Sequence, residues 1–207
     1  MIDFVAVALK NRTQVGSVCP SSPALSKALA RGVRGRHGPK RVLEVGPGTG
    51  PVTRHILASL RPGDTFDLVE LSPEFCRQLE RRVLTPWRQR NPGIQVRLYQ
   101  APIQEAPLES GTYDAIVSGL PFNNFKVELV REITDRLFQL LKPGGELAYF
   151  GYAGVKTIKS GLVGPDGRRN LRAIAQHERD LLRRHNGHKQ LVLANIPPAA
   201  VLRLSKS

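Results

Sequence analysis

Gly46, Gly48 and Gly50 stand at alternate positions between a short β-branched run, Arg41 to Val45, and Val52 to Leu60, whose apolar residues recur at helical spacing. Between a strand and a helix the chain must turn sharply while a ligand lies against its backbone, and glycine permits both positive φ and that close approach. A glycine triplet alone marks a structural turn as readily as a ligand site, but here a strand precedes it and a helix follows. Glu70 ends the next strand twenty residues beyond Gly50, where a carboxylate can accept hydrogen bonds from both hydroxyls of a ribose, and Leu71 follows it. These residues, with Thr49 inside the loop, suit the binding of a nucleoside-bearing cofactor.

A dinucleotide loop of the form Gly-x-Gly-x-x-Gly would require glycine at position 51, where this chain has Pro51, so the spacing favours S-adenosylmethionine (SAM). VLEVGPGTG, from Val42 to Gly50, resembles motif I of the class I methyltransferases, and the resemblance spans roughly residues 40 to 153. It implies that Glu44 lies beside the methionine part of SAM, close to its amino group; a structural hydrogen bond to the loop amides is the other reading of Glu44. Gln100-Ala101-Pro102-Ile103 departs from the family by lacking the acid that usually touches adenine. Adenine recognition would then rest on backbone amides around Pro102 and apolar packing by Ile103, with Gln104 as a polar alternative.

Ser118-Gly119-Leu120-Pro121-Phe122 follows the fourth strand, where amine-directed methyltransferases carry an Asn/Asp-Pro-Pro-Tyr/Phe loop. Ser118 and Gly119 would border the cofactor. Gly119 replaces the Asn or Asp that holds a planar amino group, which weakens a nucleobase reading. Phe122 supplies the aromatic, and a ring face stabilises a cation such as a methylated amine; Asn123 and Asn124 bring carbonyl oxygens. The competing reading makes Phe122 a core anchor and the asparagines turn residues.

Together, GSVCPSSP from Gly16 to Pro23, VLEVGPGTG, IVSGLPFNNF from Ile116 to Phe125 and Asn195-Ile196-Pro197-Pro198-Ala199 resemble the bacterial phospholipid N-methyltransferases. That resemblance implies SAM-dependent methylation of phosphatidylethanolamine toward phosphatidylcholine at a membrane surface. It also implies a lid and membrane-contact role for residues 1–36, ahead of a single catalytic domain over 37–207. Ile2, Val5 and Leu9 share a helical face, with Lys10 and Arg12 following, a short amphipathic pattern; packing on the core explains it equally well. Ser22 before Pro23 is a helix cap, and Ser21 is placed to touch cofactor or lipid head group. Methyl transfer to an amine needs alignment and the loss of one ammonium proton. Tyr152, just past the fifth strand, is the candidate to orient that amine, with Tyr149 behind it and water taking the proton; packing is the alternative for both.

The elements that must position these groups alternate. Strands are expected at Arg41 to Val45, Thr65 to Leu71, Ile94 to Tyr99, Tyr113 to Val117 and Glu146 to Phe150. Helices follow from Val52, from the Ser72-Pro73-Glu74 cap, and over Val127 to Leu141, stopped by Lys142-Pro143-Gly144-Gly145. A basic helix over Arg168 to His185 precedes two strands, Gln190 to Leu193 and Val201 to Leu204. With the resemblance, this is an α/β, Rossmann-like class I methyltransferase fold: a mainly parallel seven-stranded sheet with an antiparallel edge and helices on both faces.

Charge is unevenly placed: seven Lys/Arg against one acid over residues 1–40, thirteen of each over 41–149, and eleven against three over 150–207. A neutral middle between basic flanks suits a polyanion, and the lipid resemblance makes it an anionic phospholipid membrane, with Arg168, Arg169 and Arg172 near lipid phosphates. No apolar run approaches the roughly 20 residues of a spanning helix, and the first residues lack a secretory pattern, so a cytoplasmic protein peripheral to the inner membrane face is expected. Cys19 and Cys76 fit no ligand spacing and read as free thiols; the five histidines show no ligand pattern, His185 and His188 are expected to be exposed near a turn, and no metal is expected. Nucleic acid is a disfavoured partner. The rival functions are an RNA adenine N-methyltransferase and a catalytically silent SAM-binding membrane protein.

Overall fold

The computed structural model describes residues 21–33, 38–152 and 164–207, with the side chain of Tyr152 excepted. The Gly16–Pro20 part of the first motif, the amphipathic pattern of Ile2 to Arg12, Cys19 and His37 lie outside the described residues. The strands are β1 (Arg41–Val45), β2 (Thr65–Glu70), β3 (Gln95–Gln100), β4 (Tyr113–Ser118), β5 (Leu141–Tyr152), β6 (His188–Val192) and β7 (Ala199–Ser205). They form one sheet in the order β3-β2-β1-β4-β5-β7-β6. The first five are parallel, β7 runs antiparallel to β5, and β6 antiparallel to β7. The mostly parallel sheet with an antiparallel edge is thus as expected.

Helices cover both faces, and strand alternation sorts the core accordingly. On one face Val42, Phe66, Ala115 and Phe150 pack under α1 (Pro23–Ala30), α2 (Pro51–Leu57) and α3 (Pro73–Leu79). On the other, Leu43, Ile116, Leu147 and Leu202 pack under α4 (Val127–Leu140) and α5 (Pro165–Arg184). Beyond α3 the chain passes through a π-helical turn, Glu80–Leu84, into a short helix at Thr85–Arg90.

Caps fix the helix starts. Ser72 Oγ accepts from Phe75 N at 3.3 Å and Ser22 Oγ from Leu25 N at 3.2 Å, in each case just ahead of a proline at the first helical position. Ser22 N also donates to Asn195 Oδ1 at 3.0 Å, tying α1 to the loop between β6 and β7.

Two expectations are corrected. Lys142-Pro143-Gly144-Gly145 does end the helix but does not delay the strand: Leu141 already pairs with Tyr113 before the register jumps to Ala115 and Glu146, so the four residues form a bulge inside β5. His185 is half-buried rather than exposed, because its ring stacks on Phe138 of α4 with centroids 3.9 Å apart; His188 is exposed. Asp67, fully buried in β2, accepts from Arg41, Arg97 and the Tyr113 hydroxyl at 3.2, 2.7 and 2.6 Å, so the buried carboxyl is fully partnered. No helix among the described residues is long and apolar enough to cross a membrane.

Candidate functional site

Chain order reverses between β1 and β4, so the loops leaving these two strands face each other across the crevice at the carboxyl ends of the sheet. Gly46 N donates back to Val69 O at 2.9 Å, turning the β1 loop sharply. Gly46, Gly48 and Gly50 have φ of 70°, 57° and 85°. A Cβ on Gly46 would stand 2.6 Å from Leu120 Cδ2, and one on Gly50 2.7 Å from Leu79 Cδ1. Space and backbone geometry therefore both call for glycine. Thr49 is exposed on the outer side of the loop, beside a separate pocket with Pro51, Arg54 and Gln78.

Two buried carboxylates lie beneath this loop, and one of them fastens it. Glu70 Oε2 accepts from Gly48 N at 3.0 Å and Glu70 Oε1 from Ser72 N at 2.9 Å, so one side chain joins the glycine loop to the start of α3. Each oxygen retains a second lone pair for another donor. Glu44, 1% exposed, faces Thr53 of α2. Burial pushes its carboxyl up to about 8, with Thr53 opposing and the nearby Glu70 adding to the rise. Neither Glu44 Oε2 nor Thr53 Oγ1 has a hydrogen-bond partner among the described residues. The structural bond to the loop considered for Glu44 is not made by the glycine amides: those of Gly46, Gly48 and Gly50 go to Val69, Glu70 and Pro47. A cleft beside the loop is lined by Gly46, Glu70, Leu71, Pro102, Ile103 and Leu120, which brings the predicted ribose and adenine residues together.

Across the crevice, Ser118 is fully buried and its Oγ accepts from Leu120 N at 3.3 Å. Gly119 N donates to Val45 O at 2.8 Å, and a Cβ on Gly119 would stand 2.6 Å from the Gly46 carbonyl oxygen. The β1 and β4 loops thus meet backbone to backbone, and no side chain fits at position 119. Phe122 is 3% exposed, edge-on to Tyr149 at 5.2 Å and to Phe125 at 6.4 Å, the packing of a core anchor. Asn123 is half-buried and Asn124 exposed in the same single turn.

A group the sequence reading missed completes this side. Glu178 of α5 is 8% exposed, with Oε1 3.4 Å from the point where a Gly151 Cβ would stand; Asn123 Nδ2 lies 4.0 Å from the same point. Burial, and after it the Glu178 charge, hold the Tyr149 phenol well above its usual range. Lys189 Nζ is 3.8 Å from Glu178 Oε2. The signal was present in the spacing: Ile174, Glu178 and Leu181 share one helical face, so the acid falls within an apolar stripe. Leu120, the side chain over Gly46, was missed too, because nothing in its type marks it.

Two predicted residues are not brought into this cluster by described contacts. Ser21 begins the approach to α1, its carbonyl accepting from Ser26 Oγ at 3.4 Å. Tyr152 pairs through its backbone with Ala199 at the end of β5, and its side chain lies outside the described residues. Among the described residues no three His, Cys, Asp or Glu side chains gather as a metal-binding group.

Residues 42–145 match a family model described as a methyltransferase domain. The chain is 32% identical over 142 residues to the ornithine lipid N-methyltransferase of Singulisphaera acidiphila, a match covering 69% of this chain and 72% of the relative. Among solved structures, a candidate O-methyltransferase from Klebsiella pneumoniae superposes with a TM-score of 0.66 at 15% identity, covering 99% of this chain and 90% of that one. An O-methyltransferase from Streptomyces achromogenes involved in tomaymycin synthesis, solved in complex with SAM, gives 0.60 at 15% identity over 89% and 79% of the two chains. At these identities the structural likeness is one of fold.

Proposed function

The chain belongs to the methyltransferase-domain family and is a SAM-dependent methyltransferase; from that premise we propose that its acceptor is the amine of a membrane lipid, phosphatidylethanolamine foremost. The observation that carries this reading is the pairing of a side-chain-free position 119 with the buried Glu178 carboxylate at the end of β5. Gly119 offers nothing to hold the planar amino group of a nucleobase. A carboxylate beside a half-buried amide suits the compact cation of an alkylammonium head group. The likeness to an ornithine lipid N-methyltransferase supports a lipid amine and makes ornithine lipid the second acceptor to test.

The residues present fit SAM, which supplies an electrophilic methyl group on a sulfonium when bound. Glu44 has an unpartnered buried oxygen for an ammonium donor, the glycine loop leaves its backbone bare, and Glu70 has lone pairs for ribose hydroxyls. Leu71, Pro102 and Ile103 provide the apolar wall for adenine. On the acceptor side Phe122, fixed by Tyr149, closes the site against water, Asn123 orients the head group, and Glu178 accepts a hydrogen bond from its ammonium and is placed to take its proton. Tyr152, following Gly151, remains the proposed neighbour of that amine.

Glu178→Gln should lower kcat/KM for the lipid about tenfold while leaving the Kd for SAM unchanged, the difference expected when a neutral acceptor replaces a charged one. Calorimetry beside steady-state kinetics checks it, and an equal loss in SAM binding would make Glu178 merely structural.

Glu44 gives a pH signature. Its folded-state value of about 8 lies above the ordinary 4.5, so it contributes stability that is fully present below about pH 4.5 and lost as pH rises through about 8. An ammonium beside Glu44 favours the ionised form. SAM binding near pH 7 should therefore release a proton, and affinity should rise toward pH 8; calorimetry in buffers of different ionisation enthalpy reads the proton count. A count of zero would remove Glu44 from the ammonium.

The function itself is tested by transfer of labelled methyl from SAM to vesicles containing phosphatidylethanolamine and an anionic lipid, beside ornithine-lipid vesicles and RNA. Label in either lipid supports the reading and names the acceptor. Label in RNA alone, or tight SAM binding without turnover on any acceptor, would replace it with one of the two rivals.

A further inference from the structure

The exposed large hydrophobic residues among those described are Leu191, Leu193 and Ile196, at 61, 75 and 84% exposure, and all three fall within six positions of one hairpin. Alternation along β6 puts Leu191 on the face opposite the buried Val192, and Leu193 is exposed at the start of the turn that follows. Ile196 follows in the turn, whose inward anchor is Asn195: 4% exposed, accepting from Ser22 N and donating to Pro197 O at 2.7 Å. The turn is therefore built to hold its polar residue inside and its apolar residues outside, the reverse of an ordinary surface loop.

Its place in the fold is equally specific. Ala199 pairs with both Tyr152 and Val192, so residues 193–198 project beyond the carboxyl end of β5, the edge that carries the crevice. Gly151, Ala200 and Leu191 lie in register across three neighbouring strands. With strands about 4.8 Å apart, Leu191 begins the apolar tip about 10 Å from the glycine over which Glu178 and Asn123 converge.

The first turns of α5 reach the same edge. Asn170 clamps them there, accepting from Val127 N at 2.9 Å and donating to Phe125 O at 2.7 Å just after the β4 loop. Arg169 and Arg172, on either side of Asn170, are exposed, with Asp166 the acid in the first turn. Apolar side chains at a projecting tip and exposed guanidinium groups at the same edge of the sheet are complementary to an acyl boundary beneath anionic phosphates.

We propose that Leu193 and Ile196 insert into a bilayer, with Leu191 at the boundary and Arg169 and Arg172 against anionic head groups, so that the acceptor end of the crevice is held at the lipid surface. The inference rests on the lipid-amine reading, deepening it by assigning the surface that meets the substrate. A head group enters beside Gly151 without the lipid leaving the membrane.

The test is flotation of the full chain with vesicles of phosphatidylcholine containing a minority of phosphatidylglycerol. Ile196→Asp and Leu193→Asp should each weaken partitioning about tenfold or more, since each removes a buried apolar side chain and adds a charge. Arg169→Glu with Arg172→Glu should weaken it on these vesicles only, leaving pure phosphatidylcholine unaffected. Thermal midpoint, the Kd for SAM and methylation of a short-chain phosphatidylethanolamine dissolved as monomers should match wild type in the two tip variants. Unchanged flotation of Ile196→Asp and Leu193→Asp, with lipid methylation intact, overturns the inference and spares the proposed function. Loss of flotation in a protein that methylates no lipid spares the inference and overturns the function. A wild-type dimer in sedimentation that Leu193→Asp dissociates would assign the tip to a second copy of the chain and overturn the membrane assignment.

Discussion

Glu70→Ala should weaken SAM binding about a hundredfold and lower folding stability by about 3 kcal/mol. The carboxylate is 2% exposed and accepts from two backbone amides, Gly48 N in a buried bond and Ser72 N in a part-buried one. Hydrogen bonds to a charged acceptor contribute roughly 1.5–3 kcal/mol each, and an amide left unpartnered in a buried place costs about 1–3 kcal/mol. The loss falls on the loop as well as on the ribose: without Glu70 the peptide at Gly48 is free to rotate away from the geometry that presents its backbone to the cofactor. Thermal denaturation and calorimetry read the two effects separately. Glu70→Gln should fall between, since its one carbonyl can serve one amide while its NH2 confronts the other. If Glu70→Ala binds SAM within twofold of wild type, the carboxylate is a loop fastener and not a ribose partner.

Gly119→Asn is the second large effect. It supplies the Asn of the Asn/Asp-Pro-Pro-Tyr/Phe pattern, so on composition alone it ought to broaden the acceptor range. The geometry requires the opposite. The new Cβ would stand 2.6 Å from the Gly46 carbonyl oxygen, a backbone atom next to the Val45–Gly46 peptide, whose N–H donates to Val69 O and whose carbonyl accepts from Gly119 N. Relief requires the β1 and β4 loops to separate, at a cost of about 3 kcal/mol, and separation displaces both the cofactor loop and the acceptor loop. Transfer to lipid should fall more than about a hundredfold, SAM affinity should fall with it, and no methylation of RNA should appear. Gly111→Ala is the control: φ is 69° with nothing within 4 Å, so it carries backbone strain of about 1 kcal/mol without any collision. A Gly119→Asn protein with wild-type SAM affinity would show that the two loops are not interlocked.

Much of this site was legible because its constraints are local. Positive φ at Gly46, Gly48 and Gly50, the Ser72 and Ser22 caps and the five parallel strands depend on residues within a few positions of one another, and spacing records such constraints directly. What escaped depends on residues far apart in sequence. Gly119 reads as a missing hydrogen-bond acceptor until Gly46 is seen beneath it. Glu178 reads as one more charge on a basic helix until α5 is laid against Gly151. The bulge at Lys142–Gly145 escaped because Pro-Gly-Gly ends a helix in any context, whereas whether a strand has already begun depends on its partner, Tyr113.

The sheet order also bears on how the protein emerges from the ribosome. β7 lies between β5 and β6 in space but follows both in the chain, so β5 is an open edge while every residue up to Pro198 is being made. Through that interval a twelve-residue strand that includes Leu147, Tyr149 and Phe150 has its backbone groups unpaired on one side and is open to pairing with another nascent chain. β7 closes it, and Ser22, made far earlier, receives Asn195 only as that closure begins. Synthesis of this protein is vulnerable until β7 is made, and a stop codon in the β6–β7 turn would leave the sheet unsealed.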